Sequence, residues 1–191
     1  MANVNLQGAV PTPPQYQQGE NYVLHDPNIT QTPAYYKELL SVAKQSVRIL
    51  DPYAFQYEAI EAFEVVCSEN IQIEIVTRRY DSEDLIRHRD NIENILKKNI
   101  RNYSLTIYSY FDNGVPKQQR VPLWHDRYLI VDDTDIYLIG SSIDGQVKSD
   151  KYHGIYHLDR DKDIEIVVNL YKFYQNSYNT FRAIKTSRHH P

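Results

Sequence analysis

The sequence predicts an α/β protein with the architecture of a three-layer α/β/α sandwich around a mixed β-sheet. Two observations lead to this fold class. Runs of β-branched and aromatic residues alternate along the chain with segments in which apolar residues recur at helical spacing. The chain has 191 residues, of which 41% are hydrophobic, enough for one domain with a core of ordinary size. Because elements that alternate in sequence pack as layers, we expect helices on both faces of the sheet.

The first segment differs in composition from the rest of the chain. Residues 1–22 are rich in Pro and Gln and contain few apolar residues, which predicts a flexible leader or, alternatively, an extended arm packed on a partner subunit. The folded domain is expected to cover residues 23–191. Its first helix is predicted over residues 32–45, where Leu39 and Ala43 are four positions apart on one apolar stripe.

Further helices are predicted over residues 57–68, 82–98 and 170–185. Ser82 is a suitable N-cap for the second of these, and acidic residues follow it in the first turn. The basic residues on this helix and just after it are interpreted as a solvated helix face; they are Arg87, Arg89, Lys97, Lys98 and Arg101.

Residues 124–142 predict a β-hairpin. Two strand-forming runs, residues 128–131 and 136–139, flank the turn-forming residues 132–135. Side chains alternate between the two faces of a strand, so His125 and Arg127 should share one face.

Asp132, an odd number of positions from His125, should lie on the opposite face and support the hairpin. The residues after the second strand offer close backbone approach and hydrogen-bond donors to a ligand; they are Gly140, Ser141 and Ser142. An imidazole, a fixed cation and these donors are groups that can hold and attack a phosphate without a metal. The alternative is an ordinary surface hairpin that contains a histidine.

This pattern resembles the motif of the phospholipase D superfamily: His-x-Lys, four residues, Asp, six residues, Gly-Ser and then an Asn. Four residues fall on it, namely His125, Asp132, Gly140 and Ser141. The sequence departs from the motif in three ways. Arg127 replaces the lysine, seven residues separate Asp132 from Gly140, and Asp144 stands where the Asn is usual.

The resemblance extends over most of the chain. Residues 47–53, 71–77 and 104–110 are similar to the family's core strands, and residues 163–168 to its closing strand. The acid of that closing strand holds the catalytic imidazole in family members, and Glu165 is its match, although an ordinary edge-strand glutamate is the alternative. The resemblance therefore implies a phospholipase D-like domain.

The motif occurs once, which affects the expected assembly. In-line cleavage of a phosphodiester needs one histidine as nucleophile and a second to protonate the leaving oxygen. A C2 homodimer supplies both, since each subunit contributes His125, Arg127 and Ser141 to one composite site. Arg127 would hold the phosphate through its planar guanidinium, and Glu165 would fix the imidazole tautomer.

Two other segments are candidates for substrate contact. Arg78 and Arg79 end a predicted strand, and the C-terminal edge of such strands commonly lines ligand clefts, so we expect them to bind phosphate. The long polar segment 144–162 contains His153 and His157, whose spacing would suit a metal only if the segment were helical. A substrate-covering loop or a plain surface loop are the alternatives.

Taken together, the sequence predicts a metal-independent phosphodiesterase, most simply a nuclease, that needs no cofactor and no metal. Its expected partners are a second copy of itself and a nucleic acid or another phosphodiester, with no membrane. A net charge of −4 argues against indiscriminate nucleic-acid binding, and a single cysteine with no visible signal peptide fits the cytoplasm. The alternatives are a phosphate- or nucleic-acid-binding module that has lost catalysis, and hydrolysis or transfer of lipid headgroups.

Overall fold

A computed structural model describes residues 22–25, 32–52, 62–66, 68–77, 82–110, 126–140, 153–176 and 181–189. Within these residues the helices are α1 (Thr32–Ser41), a 3-10 helix (Ala62–Val65), α2 (Ser82–Asn99) and α3 (Asp161–Asn176). The strands are β1 (Tyr22–His25), β2 (Ser46–Leu50), β3 (Asn70–Thr77), β4 (Asn102–Tyr110), β5 (Arg127–Val131), β6 (Asp135–Ile139), β7 (His153–Leu158) and β8 (Phe181–Arg188). No helix in these ranges is long and apolar enough to cross a membrane.

The strands form one sheet in the order β1-β7-β6-β5-β2-β3-β4-β8. The three strands β2, β3 and β4 are parallel, and all other neighbours are antiparallel, so the predicted mixed sheet is confirmed. Strand β3 lies between two parallel partners and is buried on both faces from Ile73 to Thr77, although Glu74 and Thr77 are polar.

Helices cover both faces of the sheet, as the predicted three-layer architecture requires. On one face, apolar residues of α1, the 3-10 helix and α2 pack with alternate strand residues such as Ile49, Ile73 and Leu105. On the other face, α3 packs on the intervening strand residues, including Leu50 and Val76. The carboxyl ends of the parallel strands meet at one edge of the sheet.

The predicted closing strand over residues 163–168 is wrong, because this segment belongs to helix α3. The residues that α3 buries are Ile164, Val167, Val168 and Tyr171, at positions i, i+3, i+4 and i+7. That helical spacing outweighs the β-propensity of the local Ile-Glu-Ile-Val-Val run. The helix predicted over residues 170–185 is also wrong in part, since α3 ends at Asn176 and the chain returns as strand β8 against β4.

The polar segment 144–162 is not a loop throughout. Strand β7 occupies its second half and pairs with both β6 and β1. His153 and His157 therefore lie on a strand, so the helical spacing that metal ligation would require is absent. Helix α1 ends at Ser41, four residues earlier than predicted. Of the helix predicted over residues 57–68, the structure describes mainly the 3-10 helix. Cys67, the single cysteine of the chain, lies outside the described residues.

Candidate functional site

Buried polar side chains follow the apolar parts of the parallel strands at the edge where their carboxyl ends meet. Asp51 comes directly after β2, Thr77 ends β3, and Ser109 lies at the same level of β4; their exposed fractions are 2%, 0% and 2%. Strand β5 runs antiparallel to β2, so its first residue, Arg127, lies at this edge too. We call Asp51, Thr77, Ser109 and Arg127 the polar edge.

The strand register explains why these side chains come together. Thr77 and Ser109 are direct partners on neighbouring strands, and cross-strand partners share a face of the sheet. Arg127 is two positions from Leu129, a member of the larger core cluster, and therefore lies on that same face. The core cluster thus gives way to polar groups at the position where ligands bind in open α/β sheets.

Arg127 is held by an acid that the sequence analysis did not identify. Its Nε lies 3.6 Å from Oδ1 of Asp51, whose side chain is almost completely buried, whereas that of Arg127 is 21% exposed. A buried carboxylate needs a counter-charge, so the pair places the guanidinium of Arg127 at this edge of the sheet. The sequence feature that marks Asp51 is local: it is an acidic residue immediately after an apolar strand.

Thr77 is a second residue that the sequence analysis missed. Its Oγ1 is fully buried and has no hydrogen-bond partner among the described residues. Buried hydroxyl groups are normally paired, and residues 78–81, which follow Thr77, lie outside the described part of the chain. The next residues in the chain are the predicted phosphate-binding Arg78 and Arg79.

Asp132 lies at the far end of β5 from Arg127, in the hairpin turn. Its carboxylate accepts hydrogen bonds from the backbone N–H groups of Lys44, Gln45 and Ser46, at 2.7 to 3.0 Å. Burial acts to raise the pKa of this carboxyl, but the three backbone donors outweigh it and hold the pKa below its usual range. Asp132 thereby ties the hairpin to the connection between α1 and β2, away from the polar edge.

The opposite face of the hairpin is fixed by an ion network under α3. Glu74 is buried and accepts hydrogen bonds from Arg48 Nε, at 2.8 Å, and from the hydroxyl of Tyr171. Arg48 also pairs with Asp133 in the turn, and its guanidinium lies 5.4 Å from the centre of the Tyr171 ring. The pKa of Tyr171 is raised, first by burial and then by Glu74. This network joins the hairpin, the sheet and α3.

Two further predicted residues are described. Gly140 follows β6, and its N–H donates to the carbonyl of Gly154 at 2.9 Å, so β6 and β7 remain paired up to this edge. Glu165 is exposed on α3 and not on a strand. The closing strand expected to position it does not exist, because α3 takes its place.

The remaining predicted site residues, His125, Ser141, Ser142, Arg78 and Arg79, lie outside the described residues, as does Asp144. Within the described ranges, no three His, Cys, Asp or Glu side chains are grouped so that they could hold a metal ion. His157 instead lies against the ring of Tyr137, with ring centres 4.9 Å apart, and 3.4 Å from Oδ1 of Asp135.

Comparison with known proteins gives matches in structure. No protein-family model and no curated protein matches the sequence. Among solved structures, Nuc from Salmonella typhimurium, a phospholipase D family member, is similar with a TM-score of 0.55 and 14% identity over 85% of this chain and 97% of that one. NucT from Helicobacter pylori has a TM-score of 0.52 and 14% identity over 85% and 98% of the chains.

A larger protein is similar in one part only. Phosphatidylserine synthase from Haemophilus influenzae has a TM-score of 0.51 and 11% identity, over 85% of this chain but 39% of its own. At these identities the likeness concerns the fold, and any chemistry depends on the side chains at the edge of the sheet.

Proposed function

Because the chain has the fold of phospholipase D family members, we propose that it is a metal-independent phosphodiesterase that cleaves nucleic acid. The observation that supports this most is the place of Arg127. It begins β5 at the edge where the parallel strands end, beside the buried Asp51, and it follows His125 by two positions. A fixed cation suits the equatorial oxygens of a phosphate.

In the proposed reaction, an imidazole nitrogen of His125 forms a bond to phosphorus and the bond to the leaving oxygen breaks. The partner subunit's His125 donates a proton to that oxygen. Water then attacks the phosphohistidine, passes its proton to the same second imidazole and releases His125. Arg127 and Ser141 would hold the phosphate oxygens throughout, and Asp51 would fix the direction of the guanidinium.

The second histidine is proposed to come from a homodimer, because the motif occurs once in the chain. A C2 axis at the polar edge would bring two copies of His125 to opposite sides of one phosphate. Glu165 has no part in this proposal, since its exposed place on α3 gives no support for contact with an imidazole.

The test is cleavage of labelled single- and double-stranded nucleic acid in EDTA by the wild type, His125→Ala and His157→Gln. His157 is the matched control, because it packs on Tyr137 away from the polar edge. We expect cleavage by the wild type and the control and a loss of at least about 10³-fold in His125→Ala. Sedimentation should show a dimer. No cleavage of any nucleic acid by the wild type, or full activity in His125→Ala, would contradict the proposal.

A nucleic-acid-binding module without catalysis is the second candidate, and the ion pair between Asp51 and Arg127 favours it. A buried carboxylate beside the cation lowers the positive potential available to a phosphate in the transition state. This candidate predicts equal nucleic-acid affinity in the wild type and His125→Ala with cleavage by neither. The same binding and cleavage measurements therefore distinguish the two functions.

A further inference from the structure

Helix α3 carries a second set of apolar residues on the side that faces away from the sheet. These residues are Ile166, Leu170 and Phe173, at positions i, i+4 and i+7, and we call them the outer stripe. Ile166 is 57% exposed and Phe173 is 53% exposed, and Leu170 between them is partly buried. Single exposed apolar residues are ordinary on a protein surface, but apolar residues at helical spacing on two sides indicate a helix that is covered on both.

Two opposite charges lie along one flank of the outer stripe. Glu165 precedes Ile166 and Lys172 precedes Phe173, so the two charged side chains project from the same side of α3. Both are exposed, and within the described part of the chain neither forms a salt bridge. Seven residues of helix separate them by about 10 Å, which is too far for Glu165 and Lys172 to pair with each other. This flank therefore offers one acid and one base to a partner molecule.

The outer stripe and its charged flank are complementary to a second copy of α3 that runs in the opposite direction. A two-fold axis between residues 169 and 170 would place Ile166 beside the partner subunit's Phe173. The same axis would bring Glu165 near the partner subunit's Lys172, because equivalent flanks meet when two helices pack antiparallel. A parallel pair would instead place equal charges side by side, which is unfavourable.

The direction of α3 in the fold separates this surface from the polar edge. Helix α3 begins after β7, at the end of the sheet remote from the polar edge, and leads to β8, which starts at the polar edge. An antiparallel pair of α3 helices therefore turns the two polar edges toward opposite ends of the assembly. Such a contact leaves the polar edge open, and it differs from the two-fold contact of the proposed composite site.

We propose that a second copy of this chain binds on the outer stripe, with the two α3 helices antiparallel. This interaction goes beyond the proposed nuclease function and does not depend on it. A contact made by two helices alone is smaller than a standard protein interface, so we expect a weak association with a Kd on the order of 10–100 µM.

Sedimentation over a concentration series that spans this Kd tests the outer stripe. The wild type is compared with Ile166→Lys/Phe173→Lys and with the control Val42→Lys/Ile86→Lys, which changes two apolar residues outside α3 that are 57% and 43% exposed. We expect the wild type and the control to associate equally, and the outer-stripe variant at least about tenfold more weakly. Association through the polar edge is common to all three proteins and leaves this comparison unchanged. Equal association of the two variants, or a wild type that stays monomeric, would overturn the proposal.

Charge reversal tests the antiparallel orientation. Glu165→Lys and Lys172→Glu should each weaken the association about threefold. The double variant Glu165→Lys/Lys172→Glu should restore it, because opposite charges face each other again. These exposed positions also test the surface if the variant with two changed apolar residues folds poorly. A double variant that associates as weakly as the single variants would contradict the antiparallel pair.

A disulfide trap locates the two-fold axis. Asn169 and Lys162 are both exposed on the outer side of α3. Asn169→Cys should form a disulfide between two chains, since the axis passes beside this position. Lys162→Cys should not, because the axis places it about 20 Å from the same position of the partner subunit. Both variants retain Cys67, so the difference between them reports on α3. Equal cross-linking at the two positions would overturn the proposed pair.

Discussion

Replacement of Asp132 by Ala should destabilise the fold through the hairpin turn. The change removes the acceptor of three backbone N–H groups, of which that of Ser46 is partly buried and those of Lys44 and Gln45 are exposed. Leaving the Ser46 donor unsatisfied costs about 1–3 kcal/mol, whereas water can replace the other two bonds. Asp132 also has a φ of 50°, a left-handed conformation that costs Ala about 1 kcal/mol more. The expected loss is therefore roughly 3 kcal/mol.

Urea unfolding of the wild type, Asp132→Ala, Asp132→Asn and Asp135→Asn measures this loss. Asn tolerates the left-handed φ and keeps one acceptor, so Asp132→Asn should lose only about half as much. Asp135→Asn is the control in the same hairpin; its side chain is half exposed and pairs with His157, so its effect should stay below about 0.5 kcal/mol. In thermal unfolding, each kcal/mol corresponds to about 2–4 °C for a chain of this length.

The pH dependence gives a second measure of the same interaction. The pKa of Asp132 is lowered in the fold, so its stabilisation is present above the unfolded value near about 4 and is lost as the pH falls through the folded pKa. Asp132→Asn should reduce the difference in stability between pH 7 and acid. The reasoning would be refuted if Asp132→Ala lowered the free energy of unfolding by less than about 1 kcal/mol. It would also be refuted if Asp132→Asn lost as much stability in acid as the wild type.

Three other predictions concern the site, the helix and the strand edge. Arg127→Ala should weaken binding of nucleic acid and reduce cleavage about 10²-fold or more, while Arg127→Lys retains part of both; equal activity of all three proteins would count against a phosphate contact. Tyr171→Phe should cost about 1–3 kcal/mol in urea unfolding, because it removes the buried hydroxyl that donates to Glu74, and no loss would show that α3 does not depend on this bond. Burial acts to raise the pKa of Glu93, but hydrogen bonds from Thr186 and neighbouring donors hold it below its usual value. Glu93→Gln should therefore diminish the loss of stability below about pH 4, and a stability in acid that changes as in the wild type would exclude this contribution.

The hairpin and the parallel core could be predicted from sequence because their signals are local. The predicted hairpin strands, residues 128–131 and 136–139, agree with β5 and β6 to within one residue. The two strands flank a run of turn-forming residues. Within it, Asp132 and Asp133 take the positive φ values that such a turn allows.

The elements after the hairpin could not be assigned in the same way. Strand β7 contains a glycine and two histidines, and it becomes a strand through pairing with β6 and β1 on its two sides. Strand β8 likewise depends on its eight-residue register with β4. In α3 the local composition favours a strand, whereas the helical spacing of Ile164, Val167, Val168 and Tyr171 decides the structure.

The candidate site was predictable only in part for a related reason. Arg127 belongs to a motif of adjacent residues, whereas its partner Asp51 and the buried hydroxyl of Thr77 are distant in sequence. The strand order places them together, and one sequence contains no direct signal for that order. An acid or hydroxyl that ends an apolar strand is the local feature that could have selected them.

The most direct test of the central claim, a nucleophilic histidine in a composite dimer site, is the mass of the covalent intermediate. Nucleic acid is mixed with the protein in EDTA, the reaction is stopped in alkali during turnover, and the modified chain is digested and analysed by mass spectrometry. We predict a nucleotide bonded to His125 on at most one chain of every two. A nucleotide on every chain would contradict the shared site, and cleavage without any adduct at His125 would contradict the histidine nucleophile.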